Sequence, residues 1–319
     1  MMNKVTTDII NAIKSAERIL VCGHIRPDGD CVGAALAVRH ICQTLGKTAD
    51  AVCDADKPSD YAFLPEYNDF CAPRYKTYDL FIAVDCATEK RLGEYQAMLN
   101  AAKVKINIDH HPTNPLYGNI NHVLPEKCST CAILYDLFAE GGYLDEVSAI
   151  MLYTGISTDT GHFMHSNTDG EVFRTASELC GYGIDVGQIN HDLYCNKSFN
   201  KIKLTARVLQ SIILYENGSI ALMPIMLDDL NECGCKSEDT EGLINYASSI
   251  SGVKIAISMC EQPGNLYRVS FRSVEADVSI AAARFGGGGH RLAAGCIING
   301  NRYDVMDKVL SAAISVLNK

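Results

Sequence analysis

The stretch Ile106-Asn107-Ile108-Asp109-His110-His111-Pro112 ends an apolar run in one carboxylate and two imidazoles. Oxygen and nitrogen donors of this kind hold divalent cations. Adjacent residues leaving a strand point in different directions, so His110 and His111 are expected to have different tasks. Taken alone, the stretch reads equally well as a polar loop. Three other places carry matching residues. In His24-Ile25-Arg26-Pro27-Asp28-Gly29-Asp30, His24 and Asp28 can converge on one ion, while Gly29 lets the loop turn so that Asp30 faces a second. Asp30 can also be read as a cap of the helix that follows. Asp85 comes directly after an apolar run and, alone, reads as a turn or N-cap residue. Asp159 ends a helical stretch and is the fourth candidate carboxylate. His162, His165 and His191 read as loop or surface residues, with His162 near the site by sequence.

Those residues converge only if the elements before them end along one edge. Residues 18–23, 48–53, 78–84 and 103–108 read as buried strands, and 3–16, about 32–45, 130–140, 147–158 and 170–180 as helices. Strands alternating with helices imply a parallel sheet with helices on both faces, whose chemistry sits beyond the carboxyl ends of the strands. Ser129 and Thr130 are good caps for the helix at 130, and Thr168 or Asp169 for the helix at 170. A long helix at 198–213 connects to a different kind of segment. There, 211–215 and 219–225 flank the turn Asn217-Gly218, and 253–260 and 266–271 flank Pro263-Gly264-Asn265, giving two expected hairpins. The fold class is therefore α/β: a parallel-sheet domain over 1–190, a helical linker over 191–213, and a smaller mixed α+β domain over 214–319.

The second domain has its own constellation. Arg272 lies on a strand of alternating side chains, and Phe285 is followed by Gly286-Gly287-Gly288-Gly289-His290-Arg291-Leu292-Ala293-Ala294-Gly295. Four consecutive glycines weaken any regular element and suit a backbone that approaches a ligand closely. Their amides can cradle an anion, with His290 and Arg272 as side-chain donors.

Composition narrows the substrate. The net charge is −10 and there is no Lys/Arg cluster, which argues against a grip on long nucleic acid. No apolar run approaches the roughly 20 residues that span a bilayer. Residues 1–8 lack the apolar core of a signal peptide, so a cytoplasmic location is expected. Of the 14 cysteines, only Cys128-x-x-Cys131 and Cys233-x-Cys235 are close pairs, and neither has a partner pair at zinc-finger spacing. Packing is the expected role of the cysteines, as reduced thiols.

His24, Asp28-Gly29-Asp30, Asp85, Asp109-His110-His111 and Asp159, in this order, resemble the motifs of the DHH phosphoesterase family. The Gly-Gly-Gly-His…Ala-Ala-Gly stretch is similar to the nucleotide-binding motif of the DHH-associated C-terminal domain. Together the two cover nearly the whole chain. One departure is Ala34, where the family often has Ser. The resemblance implies a metal-dependent phosphoesterase similar to the stand-alone oligoribonucleases (nanoRNases), which degrade very short RNA to mononucleotides. Some of these also convert 3′-phosphoadenosine 5′-phosphate to AMP. The alternative is a cyclic di-AMP or linear dinucleotide phosphodiesterase, and a non-catalytic nucleotide-sensing protein ranks lower. By the same resemblance, His24, Asp28 and Asp85 hold one Mn2+, and Asp30, Asp85, His110 and Asp159 a second, with Mg2+ or Co2+ as substitutes. The implied reaction is two-metal hydroxide attack on phosphorus without a covalent enzyme intermediate. Asp85, Asp109 and His111 form the catalytic group, with Asp109 orienting a neighbour and His111 reaching the phosphate. Arg272, Gly287, Gly288, Gly289, His290 and Arg91 bind substrate. The implied partners are short RNA or nucleotides, with no long nucleic acid and no membrane, and a homodimer is compatible with the family.

Overall fold

Runs of Ile, Val, Leu, Phe and Ala too short for a helix become strands buried on both faces. A computed structural model describes residues 4–53 and 57–317, and residue 3 of the expected first helix lies outside them. The chain divides into one unit that ends at Asn196 and another that begins at Lys197.

In the first unit, β1 (Arg18–Cys22), β2 (Thr48–Val52), β3 (Leu80–Val84), β4 (Val104–Asp109) and β5 (Ile120–Val123) form an all-parallel sheet in the order β2-β1-β3-β4-β5. β5 was not anticipated; its Ile-Asn-His-Val sequence is short and only partly buried, so it carries little hydrophobic signal. The chain steps outward from β1 to β2, then returns to β3 on the other side of β1. Ligands of open α/β sheets bind at such a reversal, beyond the strands' carboxyl ends. His24 follows β1 and Asp85 follows β3, so both emerge there.

The helices are α1 (Lys4–Ser15), α2 (Gly29–Thr44), α3 (Gln96–Ala101), α4 (Thr130–Ala139), α5 (Glu146–Asp159), α6 (Gly170–Cys180) and α7 (Val186–Asn190). Alternate strand residues feed two cores. Ile19, Val21, Ile82, Val84, Ile106 and Ile108 share one with α2 and α5. Leu20, Cys22, Phe81 and Ala83 share the other with Tyr95 and Leu99. α2 is buried almost all round and begins at Gly29, three residues earlier than its hydrophobic period suggests, because Asp28 caps it through the Cys31 amide. Gly29 is thus helical rather than part of a turn. A Cβ there would lie 2.4 Å from the Thr158 hydroxyl, one at Gly33 would lie 2.5 Å from the Met151 carbonyl oxygen, and one at Gly155 would lie 2.8 Å from Asp30 Oδ1. These three glycines set how closely α2 and α5 cross.

A charged cluster ties the far end of α2 to its surroundings. Buried Arg39 donates to Glu66 and to Asp69, the latter at 2.9 Å. His40 meets Glu66 at 2.7 Å and Asp145, the cap of α5, at 2.8 Å. Burial opposes a charge on His40, but hydrogen bonds to Asp145 and Glu66 raise its pKa. A raised folded pKa contributes stability that is complete below the unfolded value of about 6.5 and is lost as pH rises through the folded value. His40→Gln should therefore lower the melting temperature at pH 6, by the equivalent of about 1 kcal/mol after allowing for solvent screening. That deficit should shrink at pH 9, and melting curves of both proteins across this range test it.

The second unit contains α8 (Phe199–Gln210), β6 (Ile213–Tyr215), β7 (Ile220–Ile225), α9 (Leu227–Cys233), α10 (Ile244–Ser248), β8 (Ile255–Gln262), β9 (Leu266–Ser273), α11 (Val278–Ala283), β10 (Gly288–His290), β11 (Ala293–Asn299) and α12 (Arg302–Leu317). Its sheet runs β10-β11-β9-β8-β7-β6, antiparallel except for β7 beside β8. Both expected hairpins are present, and the first turns through left-handed Asn217 and Gly218. α8, shorter than expected at both ends, buries Leu204 and Val208 against Met223 and Ile225 of this unit. All 14 cysteines are free thiols; ten are buried, Cys235 is half-buried, and Cys71, Cys180 and Cys195 are exposed. Among the described residues no helix is long and apolar enough to cross a membrane.

Candidate metal centre

His24, leaving β1, is buried, and its Nδ1 lies 2.8 Å from the Ile25 carbonyl. A carbonyl only accepts, so Nδ1 carries a proton and Nε2 is the nitrogen turned to the carboxylates. Nε2 lies 3.4 Å from Asp85 Oδ2 and 3.8 Å from Asp28 Oδ2. Burial works against a charged ring, yet Asp28 and Asp85 raise the His24 pKa to about 10. Asp28 caps α2 with Oδ1 and keeps Oδ2 for the centre.

Asp30 does not cap α2. Its carboxylate accepts from the Thr130 amide (2.7 Å) and the Cys131 amide (2.9 Å), at the start of α4. A negative charge at a helix N-terminus is favourable, and these bonds fix the orientation of the carboxylate. The Thr130 hydroxyl donates to Asp85 Oδ1 at 3.2 Å, so one residue aligns two carboxylates. The sequence marks Ser129-Thr130 as a cap, and Ser129 does cap α4 through the Ala132 amide. Nothing local connects Thr130 with residues 30 and 85.

Asp85, 2% exposed, occupies a left-handed backbone conformation at φ +51°. Such a conformation is uncommon outside glycine, with Asp and Asn among its better-tolerated occupants. It turns one carboxylate oxygen toward His24 and the other toward His110 Nε2, at 3.5 Å. His110 Nε2 is also 3.7 Å from Asp159 Oδ2. Donor atoms of Asp30, His110 and Asp159 lie within 4.8 Å of one another, as do those of Asp85, His110 and His111, and those of His24, Cys31 and Asp85. Cys31 was missed in the sequence as a neighbour of the centre. Its buried thiol is pushed well above the usual range by burial and by Asp85 and Asp28, and it accepts from the His24 amide.

Asp109, fully buried, accepts from His111 Nδ1 (2.7 Å) and from the Asn114 side-chain Nδ2 (2.6 Å). The Asn114 side chain also bonds Asn107. Burial favours the neutral form of Asp109, but His111 and Asn114 hold its pKa below the ordinary value. His111 is raised despite burial, through Asp109 and Asp85. Arg91 holds the Ile25 amide through its own carbonyl (2.7 Å), and its charge acts on both Asp28 and His111.

Burial and the neighbouring carboxylates raise Asp30 to about 7 and push Asp159 well above its ordinary value. Among the described residues, neither these two nor Asp28 nor Asp85 pairs with a lysine or arginine within 4 Å. Crowded carboxylates of this kind, mixed with imidazoles, fit divalent cations.

In the second unit, the glycine run is a short edge strand rather than an open loop. His290 pairs with Ala293, which pairs with Arg272, so one row crosses three strands and its side chains share a face. The next row on that face is Gly288, Gly295 and Ser270. A Cβ at Gly287 would lie 2.2 Å from the Gly295 carbonyl oxygen, and one at Gly289 would lie 2.5 Å from that of Ala293, so hairpin packing requires both glycines. Gly288 has open space instead. Burial lowers the pKa of Arg272, which donates to the Phe271 carbonyl and forms no ion pair within 4 Å among the described residues.

The chain is 31% identical, over 99% of its length and 94% of the relative's, to the bifunctional oligoribonuclease and PAP phosphatase NrnA of Thermus thermophilus. It is 28% identical to the protein of the same name from Bacillus subtilis, over 96% of each chain. The crystal structure of an exopolyphosphatase-related protein from Bacteroides fragilis superposes with a TM-score of 0.92 at 25% identity, covering 98% of this chain and 97% of that one. Residues 18–156 match the DHH family N-terminal domain and residues 222–319 the DHHA1 domain. With both matches in sequence order and a relative this similar over almost its entire length, the chain belongs to the DHH family.

Proposed function

We propose that the protein is a metal-dependent phosphoesterase that hydrolyses very short oligoribonucleotides to mononucleotides and 3′-phosphoadenosine 5′-phosphate to AMP. The observation that carries this reading is Asp85, whose two oxygens face His24 and His110. A carboxylate so placed suits a ligand shared by two ions. His24, Asp28 and Asp85 would hold one Mn2+, and Asp30, Asp85, His110 and Asp159 the other. Bound there, the ions supply a nucleophile at neutral pH and stabilise charge on phosphoryl oxygens. Hard carboxylates with imidazole suit Mn2+ better than Zn2+, with Mg2+ or Co2+ as substitutes.

The chain's own groups do the rest. Asp109 fixes the His111 ring through Nδ1, and the other ring nitrogen is assigned to the substrate phosphate. Arg91 adds positive charge on the same side. In the second unit, Arg272 and His290 hold a terminal phosphate or base, and Gly288 leaves room for it above the sheet. The names of the relatives support the substrate class, and the net charge of −10 disfavours long nucleic acid.

A turnover panel with Mn2+ tests this reading. An RNA dinucleotide and 3′-phosphoadenosine 5′-phosphate should be cleaved at least about tenfold faster than a 24-nucleotide RNA, a barrier difference of about 1.4 kcal/mol. Chelation should stop both reactions, and added Mn2+ should restore them. Preferential cleavage of cyclic di-AMP would replace this reading with turnover of a cyclic dinucleotide. Silence on every substrate, with metal bound, would leave a nucleotide sensor.

A further inference from the structure

Thr130 carries a hydroxyl that its own helix does not use. α4 starts at Thr130, and Ser129 already caps it by accepting from the Ala132 amide. A fully buried hydroxyl is costly unless it is bonded, and this one donates to Asp85 Oδ1 at 3.2 Å. The bond falls on one side of the centre. Oδ1 is the Asp85 oxygen that lies 3.5 Å from His110 Nε2, whereas Oδ2 lies 3.4 Å from His24 Nε2.

The same turn of chain meets two more carboxylate residues. The Thr130 amide donates to Asp30 Oδ2 at 2.7 Å, and the Cys131 amide donates to Asp30 Oδ1 at 2.9 Å. Asp159 is tied in through Asn167. The Asn167 side-chain Nδ2 donates to the carbonyls of Cys128 and of Asp159, both at 3.2 Å, which pins the end of α5 to the residue before the Ser129 cap. His24 and Asp28 are held by another segment, through the Ile25 carbonyl and the Cys31 amide.

We infer that Thr130 and Asn167 are positioning residues for one ion of the pair: they frame the Asp30, Asp85, His110 and Asp159 side, and the His24–Asp28 side has a frame of its own. The inference rests on the two-ion assignment given above. A carboxylate oxygen has two lone pairs, so Asp85 Oδ1 can accept from Thr130 and still face an ion. Groups bonded behind metal ligands set their direction, and losing one costs about tenfold to a hundredfold in metal affinity. The two affinities can therefore be changed separately, although the ions share Asp85.

Mn2+ binding to the full chain, followed by calorimetry and by the electron paramagnetic resonance signal of free Mn2+, tests this without any substrate. The wild type should take up two ions. Thr130→Val keeps the amide and the branched shape but loses the hydroxyl; it should weaken one ion about tenfold and leave the other unchanged. Thr130→Ser, which keeps the hydroxyl, should bind both as the wild type does. Asp28→Asn should weaken the other ion, which identifies the two. Asn167→Ala is a change at the surface that leaves the core untouched, and it should weaken the same ion as Thr130→Val by a smaller factor. Equal weakening of both ions, no weakening, or a serine variant as poor as valine would overturn the inference for Thr130. An Asn167→Ala chain that binds like the wild type would overturn it for Asn167, and a wild type that binds a single ion would overturn both. Two ions bound as described in a chain that cleaves no RNA would end the oligoribonuclease reading and leave this one standing.

Discussion

Asp85→Asn should abolish turnover while leaving the protein folded. The substitution keeps the shape of the side chain, its left-handed backbone and its contact with the Thr130 hydroxyl. It removes the one charge that faces both His24 and His110. Loss of a ligand shared by two ions forfeits several kcal/mol of transition-state stabilisation, on the order of a thousandfold or more in kcat. In the metal-free protein the Asp85 charge acts in both directions: it repels Asp30 and Asp159 and attracts His24 and His111. Asn keeps the shape and tolerates a left-handed conformation, so the fold should survive. Steady-state rates with Mn2+ measure the loss, and thermal melts in chelator check that the variant is folded. Normal turnover would contradict the assignment of Asp85 as the shared ligand.

The second large effect comes from a residue that carries no chemistry. Gly33→Ala should lower stability by about 1–3 kcal/mol, the usual cost of overpacking a close-packed core. The added methyl would lie 2.5 Å from the Met151 carbonyl oxygen, which belongs to the backbone of α5 and cannot rotate aside. The helices must part, and they carry Asp30 and Asp159 with them. A misplacement of about 1 Å in an active site can cost about a hundredfold in rate. Gly170→Ala, where an added Cβ meets nothing within 4 Å, is the matched control. It should leave the rate unchanged and the melting temperature equal or slightly higher. A Gly33→Ala enzyme as active as wild type would mean that the crossing does not set the ligand geometry.

Much of this was legible in the sequence because it is periodic or local. Buried strands such as Leu80–Val84 are continuous apolar runs, and their ends carry Asp85 and Asp109 directly. Ser129 and Asp169 cap the helices they precede. What escaped lies in long-range pairings. Thr130 reaches residues 100 and 45 positions away, which no local pattern encodes. Gly29 reads as a loop residue, because a glycine demanded by a neighbouring helix looks the same in sequence as one demanded by a turn. The glycine run before His290 reads as a ligand loop, whereas Gly287 and Gly289 serve the hairpin and Gly288 alone has open space. His162 looks like surface because its partners, Ser157 and Tyr194, meet only in the folded chain.

The distribution of thiols gives this protein a built-in record of its own opening. A bulky alkylating reagent meets Cys71, Cys180 and Cys195 on the native surface and Cys235 more slowly, while the ten buried cysteines react only when their surroundings open. Cys31 and Cys131 are fully buried beside Asp30 and the α2–α5 crossing. Their modification, resolved by peptide mass spectrometry over time, dates the opening of the α2–α5 crossing beside Asp30. Cys260 and Cys296 do the same for the second unit. One experiment on the unmutated chain thus yields separate opening free energies for its two halves.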